Sequence, residues 1–205
     1  HGHRQRQRPE GMLAMKKPHR LHLGFTLIEL MTAIAVLAVL AMVAVPSFVE
    51  FQRNSALTSS TNTLLASINA ARGEALKRGA FAMVIPKDGA DWNTGWIVFV
   101  DKDLSTDYDS SKDEIVLEQP APPSFITISG NGTAAGGSPY ILYDGSGYAK
   151  TKSGGFGALA LSMVRNDVAS GQTNAQTRRI IVAATGRTRS CRPDSIHARS
   201  NWRAR

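Results

Sequence analysis

Along this chain the apolar residues change their spacing twice. Residues 25–49 are almost continuously apolar, 25 positions with the single charge Glu29. As a helix that run spans roughly 37 Å at about 1.5 Å per residue, enough to cross a bilayer core. Pro46 can kink a helix without ending it. Beyond it Leu57, Leu64, Leu65, Ile68, Ala71, Ala75 and Leu76 follow the i, i+3, i+4 spacing of one helix face. The helix is therefore expected to run on into a soluble domain. Lys77 and Arg78 suit a helix C-terminus, and Gly79 can take the left-handed conformation that closes it, so the helix should stop there.

After Gly79 the period shortens to that of strands. Short β-like runs occur at 81–85, 95–100, 114–117, 125–128, 140–143, 158–164 and 179–183, separated by Gly, Pro, Asp and Asn. This predicts an α+β fold in which antiparallel sheets pack against a long N-terminal helix. No repeat at a fixed period is present. With 205 residues the chain can hold one domain plus a membrane segment, but hardly two complete cores. The division expected is a leader at 1–24, a transmembrane or filament-core helix at 25–49, its soluble half at 50–79, a β-rich domain at 80–190 and a basic tail at 191–205.

Ahead of the apolar run, Met15-Lys16-Lys17-Pro18-His19-Arg20 reads as the start of a short basic leader, with Met12 an equivalent start and residues 1–14 set aside. Anionic lipid and the membrane potential would hold such a leader on the cytoplasmic side of the inner membrane. A secretory signal peptide would need a shorter apolar stretch and a small-x-small site after it. Glu29 sits badly in such a core. An ionisable group in a membrane helix costs about 2.5–3.5 kcal/mol on insertion scales, so it usually has a partner. Cleavage after Gly24 would supply one, a new cationic amine on Phe25 of a neighbouring subunit. The plainer reading is a glutamate snorkelling from a helix end.

Gly24 followed by Phe25-Thr26-Leu27-Ile28-Glu29, with Pro46 in the helix, resembles the type IV pilin and type II secretion pseudopilin superfamily. That resemblance implies a lollipop architecture, cutting by prepilin peptidase between Gly24 and Phe25, N-methylation of Phe25, filament assembly through Glu29, and association with other pilins. The order of helix, Gly95-Trp96-Ile97-Val98-Phe99-Val100-Asp101, acidic loop and closing 179–189 segment is similar to the GspH/FimT minor pilins. It places the protein in the inner membrane before assembly, with a single pass and a cytoplasmic N-terminus, and in a pilus at the cell surface afterwards.

Charge sharpens this picture. Residues 1–24, 25–177 and 178–205 carry +5, −4 and +7 of the formal +8. The last block holds eight arginines, no lysine and one acid, Asp194, so that is where a polyanion would land. Within it, Gly186-Arg187-Thr188-Arg189 follows a predicted strand, and Arg-x-Arg in extended chain aims two guanidinium groups to one side. Such forks match phosphate geometry and keep their charge. Gly186 would let the backbone turn and come close to a ligand. The motif matches the Gly-Arg-x-Arg through which FimT-type pilins are held to bind double-stranded DNA in natural transformation. By that resemblance Arg187 and Arg189 are the binding residues. Arg178, Arg179 and Arg192 flank them, with Arg199, Arg203 and Arg205 further on and Trp202 able to stack on a base. Lys150 and Lys152 would add phosphate contacts if their Gly-rich loop lay beside the tail. Phosphate contacts position without specifying sequence, so binding should be non-specific. The bland reading of the tail is a solvated basic extension, and the rival function is a type II secretion pseudopilin that binds no DNA.

Asp101, Asp103, Asp107, Asp109, Asp113 and Glu114 offer alternating oxygens of the kind Ca²⁺ takes, but without the glycine of a calcium loop, and a solvated hairpin is the reading preferred. No metal site is expected. The histidines His1, His3, His19, His22 and His197 build no cluster, and four precede the cut. Cys191, the one cysteine, reads as a free thiol. Its pairing with His197 is a poor nucleophilic couple, and no phosphate loop or dinucleotide fingerprint appears. The chain therefore reads as a non-enzyme without cofactors.

Overall fold

The computed structural model describes residues 24–169 and 173–193. Most of the expected leader (1–24) and most of the expected basic tail (191–205), with His197, Arg199, Trp202, Arg203 and Arg205, lie outside the described residues. The described residues form two compact units that divide between Pro46 and Ser47.

One helix, α1 (Leu27–Arg78), runs through this division with Pro46 inside it. Thr26 caps its start: the Thr26 hydroxyl accepts from the Glu29 backbone N–H at 3.2 Å, which satisfies one of the helix's orphan donors and puts the acidic Glu29 in the first turn. In the first unit every helical side chain is exposed, among them Leu27, Ile28, Met31, Leu37 and Val43. This stretch, with mean hydropathy 2.5, is long and apolar enough to cross a membrane. At its other end the helix stops as expected. Gly79 lies at φ +62° and the Ala80 N–H reaches back to the Ala75 carbonyl at 3.3 Å, the closure a left-handed glycine permits.

In the second unit nine strands follow: β1 (Phe81–Pro86), β2 (Trp96–Asp101), β3 (Glu114–Gln119), β4 (Ile126–Gly130), β5 (Ile141–Tyr143), β6 (Ala149–Lys150), β7 (Leu159–Arg165), β8 (Thr177–Val182) and β9 (Thr188–Cys191). They build two antiparallel sheets, of order β3-β2-β1-β5-β6 and β4-β7-β8-β9. All seven expected strands are present, and β6 and β9 are additional. β9 is the edge of its sheet and reads Thr-Arg-Ser-Cys, with no apolar alternation to announce it.

The inner faces of both sheets share one core with α1. Leu57, Leu64, Ile68, Ala71 and Ala75 pack with Val84, Val98, Tyr143, Leu161, Ile180 and Val182. Burying each of the large aliphatic members contributes about 1.5–3 kcal/mol relative to leaving it in water. Leu76 departs from the expected face and is exposed, because it lies one residue, about 100° of helical turn, from Ala75. The outer face of the five-stranded sheet carries a second cluster, Met83, Ile97, Phe99 and Leu142, covered in part by Tyr108 of the acidic loop, whose ring lies 5.0 Å from that of Phe99.

Candidate functional site

The Arg-x-Arg motif lies on the β8–β9 hairpin. Strand β8 pairs with β9 so that Ile181 faces Arg189 and Val182 faces Thr188. The connection is closed by two backbone bonds, Gly186 N–H to the Ala183 carbonyl at 2.8 Å and Ala183 N–H to the Arg187 carbonyl at 2.9 Å. Gly186 takes φ +80°, the left-handed position that a three-residue hairpin loop demands. Its lack of a side chain serves a second purpose. The expected close approach of Gly186 to a ligand is instead an approach to the chain's own backbone: a Cβ there would lie 1.8 Å from the Gly147 carbonyl oxygen.

Arg72 of α1 holds this crossing together. Its Nε donates to the Gly147 carbonyl at 2.9 Å and its Nη2 to the Thr185 carbonyl at 3.3 Å, so one guanidinium ties the helix to two turns. The buried Tyr143 hydroxyl donates to the Gly186 carbonyl at 3.4 Å, and burial pushes its phenol up, keeping it a donor. Nothing in the local sequence marks Arg72 or Tyr143 for this role, since their partners lie 43 to 113 residues away.

Along β9 the side chains alternate. Thr188 points inward and donates to Asn69 of α1 at 2.6 Å, while Arg187 and Arg189 point outward and are exposed. Among the described residues neither guanidinium has a hydrogen-bond or ion-pair partner. Arg179 lies on the same outer face, its Nε 3.3 Å from the Ser162 hydroxyl. Arg178 has the opposite parity and donates to the Ala175 and Thr177 carbonyls, each at 3.0 Å, and Arg192 reaches the Ala175 carbonyl at 3.5 Å. The structure thus brings Arg179, Arg187 and Arg189 to one face and turns Arg178 away from it.

The cations of residues 24–169 are largely neutralised. Each lysine and arginine in residues 24–169, Arg72 excepted, forms an ion pair with a carboxylate. The Gly-rich loop does lie beside the arginine hairpin, with the Ala149 N–H bonded to the Ala184 carbonyl. Its lysines are nevertheless engaged: Lys150 pairs with Asp144 at 3.6 Å and Lys152 with Asp107 at 2.5 Å. By contrast, described residues 173–193 contain no Asp or Glu.

The acidic loop is built inward rather than outward. Asp101 is buried and accepts from the Ser105 and Thr106 N–H groups at 3.2 and 2.8 Å; burial raises its pKa despite those bonds. Asp113 accepts from the Lys102 and Asp109 N–H groups. Carboxylate oxygens of Asp101, Asp103 and Asp113 approach within 4.8 Å of one another, but Asp109 and Glu114 are turned to Ser111 and to Arg78 and Lys102. Cys191 is a free, half-buried thiol on β9.

Sequence reading also missed Arg165. Its fully buried side chain donates to Glu50 at 2.8 and 3.1 Å, to both Asp167 oxygens at 2.8 Å and to Asn54 at 3.1 Å, fastening the end of β7 to α1.

Comparison with known proteins agrees with this architecture. The family described as type II transport protein GspH matches residues 60–186, and the prokaryotic N-terminal methylation motif matches residues 20–45. The type IV minor pilin FimU of Pseudomonas aeruginosa superposes with TM-score 0.50 at 15% identity, covering 68% of this chain and 90% of FimU. The minor pseudopilin EpsH from the type 2 secretion system of Vibrio cholerae gives TM-score 0.44 at 12% identity, covering 67% and 98%, and the fold likeness rests on FimU. No curated protein sequence matches the chain significantly. One helix against two antiparallel sheets is thus a pilin fold, and the match to more than half of the chain places this protein in the GspH family of pilus and secretion-system minor pilins.

Proposed function

We propose that the protein is a minor pilin of a type IV pilus that binds double-stranded DNA without sequence preference through Arg187 and Arg189, for uptake in natural transformation. One observation carries this reading: Arg187 and Arg189 stand exposed and unpaired among the described residues, in a segment without acids, while the cations of residues 24–169 other than Arg72 are already paired. Leaving guanidinium forks unneutralised at a surface suits phosphate capture. Prepilin peptidase cuts between Gly24 and Phe25 and methylates Phe25, and Glu29 receives the new amine of a neighbouring subunit in the filament. The apolar helix anchors the unassembled chain in the inner membrane.

The test is a titration of the full chain, in nonionic detergent, with a short duplex at several salt concentrations. Replacing both Arg187 and Arg189 by Ala should flatten the plot of log K against log salt by roughly 1.8, at about 0.9 per phosphate contact. An unchanged slope, or no binding by the parent, defeats the reading. A pseudopilin of a type II secretion system is the second reading, favoured by the description of the matching family. Absence of DNA binding would select it.

A further inference from the structure

The arginine hairpin is the rim of a larger surface. Strands β4, β7, β8 and β9 together contain no Asp or Glu, whereas the five-stranded sheet carries Asp101, Glu114 and Glu118. On the four-stranded sheet the inward positions Ile128, Leu161, Met163, Ile180 and Val182 are buried, so the pleat sends Ser129, Ala160, Ser162, Arg179, Ile181 and Arg189 to the outer face.

We propose that this whole outer face, and not the hairpin alone, is the track on which the DNA duplex lies, with Arg179 as a third phosphate contact; the inference rests on the DNA-binding reading above. The register sets Arg189 beside Ile181 and Arg179 beside Cys191, so Arg179 and Arg189 are diagonal neighbours, about 7–8 Å apart at their backbones. Arg187 follows two positions from Arg189 on the same side. Away from this rim the side chains shrink: Arg179 faces Ser162, Ser162 faces Ser129, and Ile181 faces Ala160. Those small residues leave a shallow trough running from Arg179 across β7 to β4. The Ser162 hydroxyl, 3.3 Å from Arg179 Nε, steadies the guanidinium at the edge of that trough. A rigid, polyanionic ridge fits such a surface, with guanidinium groups on one wall and hydroxyls on the floor.

The same face carries no aromatic ring on its outward strand positions, Thr127, Ser129, Ala160, Ser162, Val164, Thr177, Arg179, Ile181, Arg189 and Cys191. Unpaired bases would find no stacking platform on these strand positions, and such stacking adds about 1–3 kcal/mol per base to single-strand binding. The track therefore reads backbone only and favours duplex over single-stranded DNA.

The experiment uses the full chain in nonionic detergent, titrated with a mixed-sequence duplex and with its separated strands across a salt series. Arg179→Ala should lower the log–log slope by about 0.9, Arg179→Lys should retain it, and Lys87→Ala, just after β1 of the other sheet and paired with Glu118, should match the parent. Ser129→Glu, on an exposed position two strands from Arg179, places a carboxylate on the floor and should weaken binding several-fold without touching the core. The track is overturned if Arg187→Ala with Arg189→Ala flattens the slope while Arg179→Ala and Ser129→Glu bind like the parent, or if single strands bind more tightly than duplex. Failure of the parent to bind overturns the track and the DNA reading together.

Discussion

The carbonyl oxygen of Gly147 lies where a Cβ on Gly186 would need to be, 1.8 Å from it. Gly186→Ala must therefore both strain a residue at φ +80° and push two turns apart. A cost of about 2–4 kcal/mol is expected from left-handed strain plus displaced backbone. Gly154→Ala is the control, because Gly154 has a similar φ of +87° but open space around its Cβ position, and it should cost about 1 kcal/mol. Urea unfolding of both variants separates crowding from strain; equal losses would remove the crossing as an explanation.

Arg165 is the other long-range fastening. Arg165→Met leaves Asp167 and Glu50 without their shared guanidinium, and because those carboxylates reach solvent the loss should be about 2–3 kcal/mol, below that of a fully buried pair. A soluble fragment that begins at Ser47 keeps Glu50, whereas one that begins at Arg53 does not. Comparison of their thermal midpoints should favour the longer fragment; identical midpoints would show that Glu50 contributes nothing.

Acid should weaken the domain in a defined interval. Arg165 holds Asp167 down at about 2, Ser105 and Lys112 hold Asp103 at about 2, and Arg78 with Lys102 holds Glu114 at about 2. In that range the folded state binds fewer protons than the unfolded chain. Their stabilisation is complete above about pH 4.5 and disappears as pH falls toward 2. Asp101 opposes this, since burial raises its pKa and its contribution improves on acidification. Unfolding midpoints measured down this interval should fall, and Asp167→Asn should make the decline shallower.

The acidic loop stores backbone strain that a glycine would relieve. Leu104 and Thr106 sit at φ +58° and +62°, held there by the Asp101 carboxylate on the Ser105 and Thr106 N–H groups. Thr106→Gly should stabilise by about 0.5–1 kcal/mol, the left-handed cost of a β-branched residue less glycine's added chain entropy. Asp101→Ala should act in reverse, loosening the loop over Phe99 and admitting protease within 102–113. Protection equal to the parent would mean that Tyr108 packing alone holds the loop.

Regular, locally repeated signals were legible in the sequence. The buried positions Leu57, Leu64, Ile68, Ala71 and Ala75 are the face that the 3.6-residue period marks, and seven strands stand where alternation and turn residues put them. Strand β9 was not legible, because an edge strand pairs on one side and Thr-Arg-Ser-Cys needs no apolar face of its own. Arg72 and Arg165 escaped notice for a different reason: each ties α1 to an element more than 70 residues distant, and such pairwise contacts leave no periodic trace. Gly186 was expected to come close to a ligand and instead comes close to Gly147, since both approaches make the same demand on one residue.

The pairing of Lys87, Lys102, Lys112, Lys150 and Lys152 with carboxylates has a consequence for how the protein meets its surroundings. Opposite charges at contact distance screen one another, whereas Arg187 and Arg189 on the hairpin have no such partner among the described residues. Ionic strength then acts on two separate scales. With a Debye length of about 8 Å at physiological salt, added electrolyte shortens the reach of the arginine face while leaving contact-distance pairs nearly intact. On the DNA-binding reading proposed above, capture and release of the polyanion would follow the medium, with the fold as a fixed background.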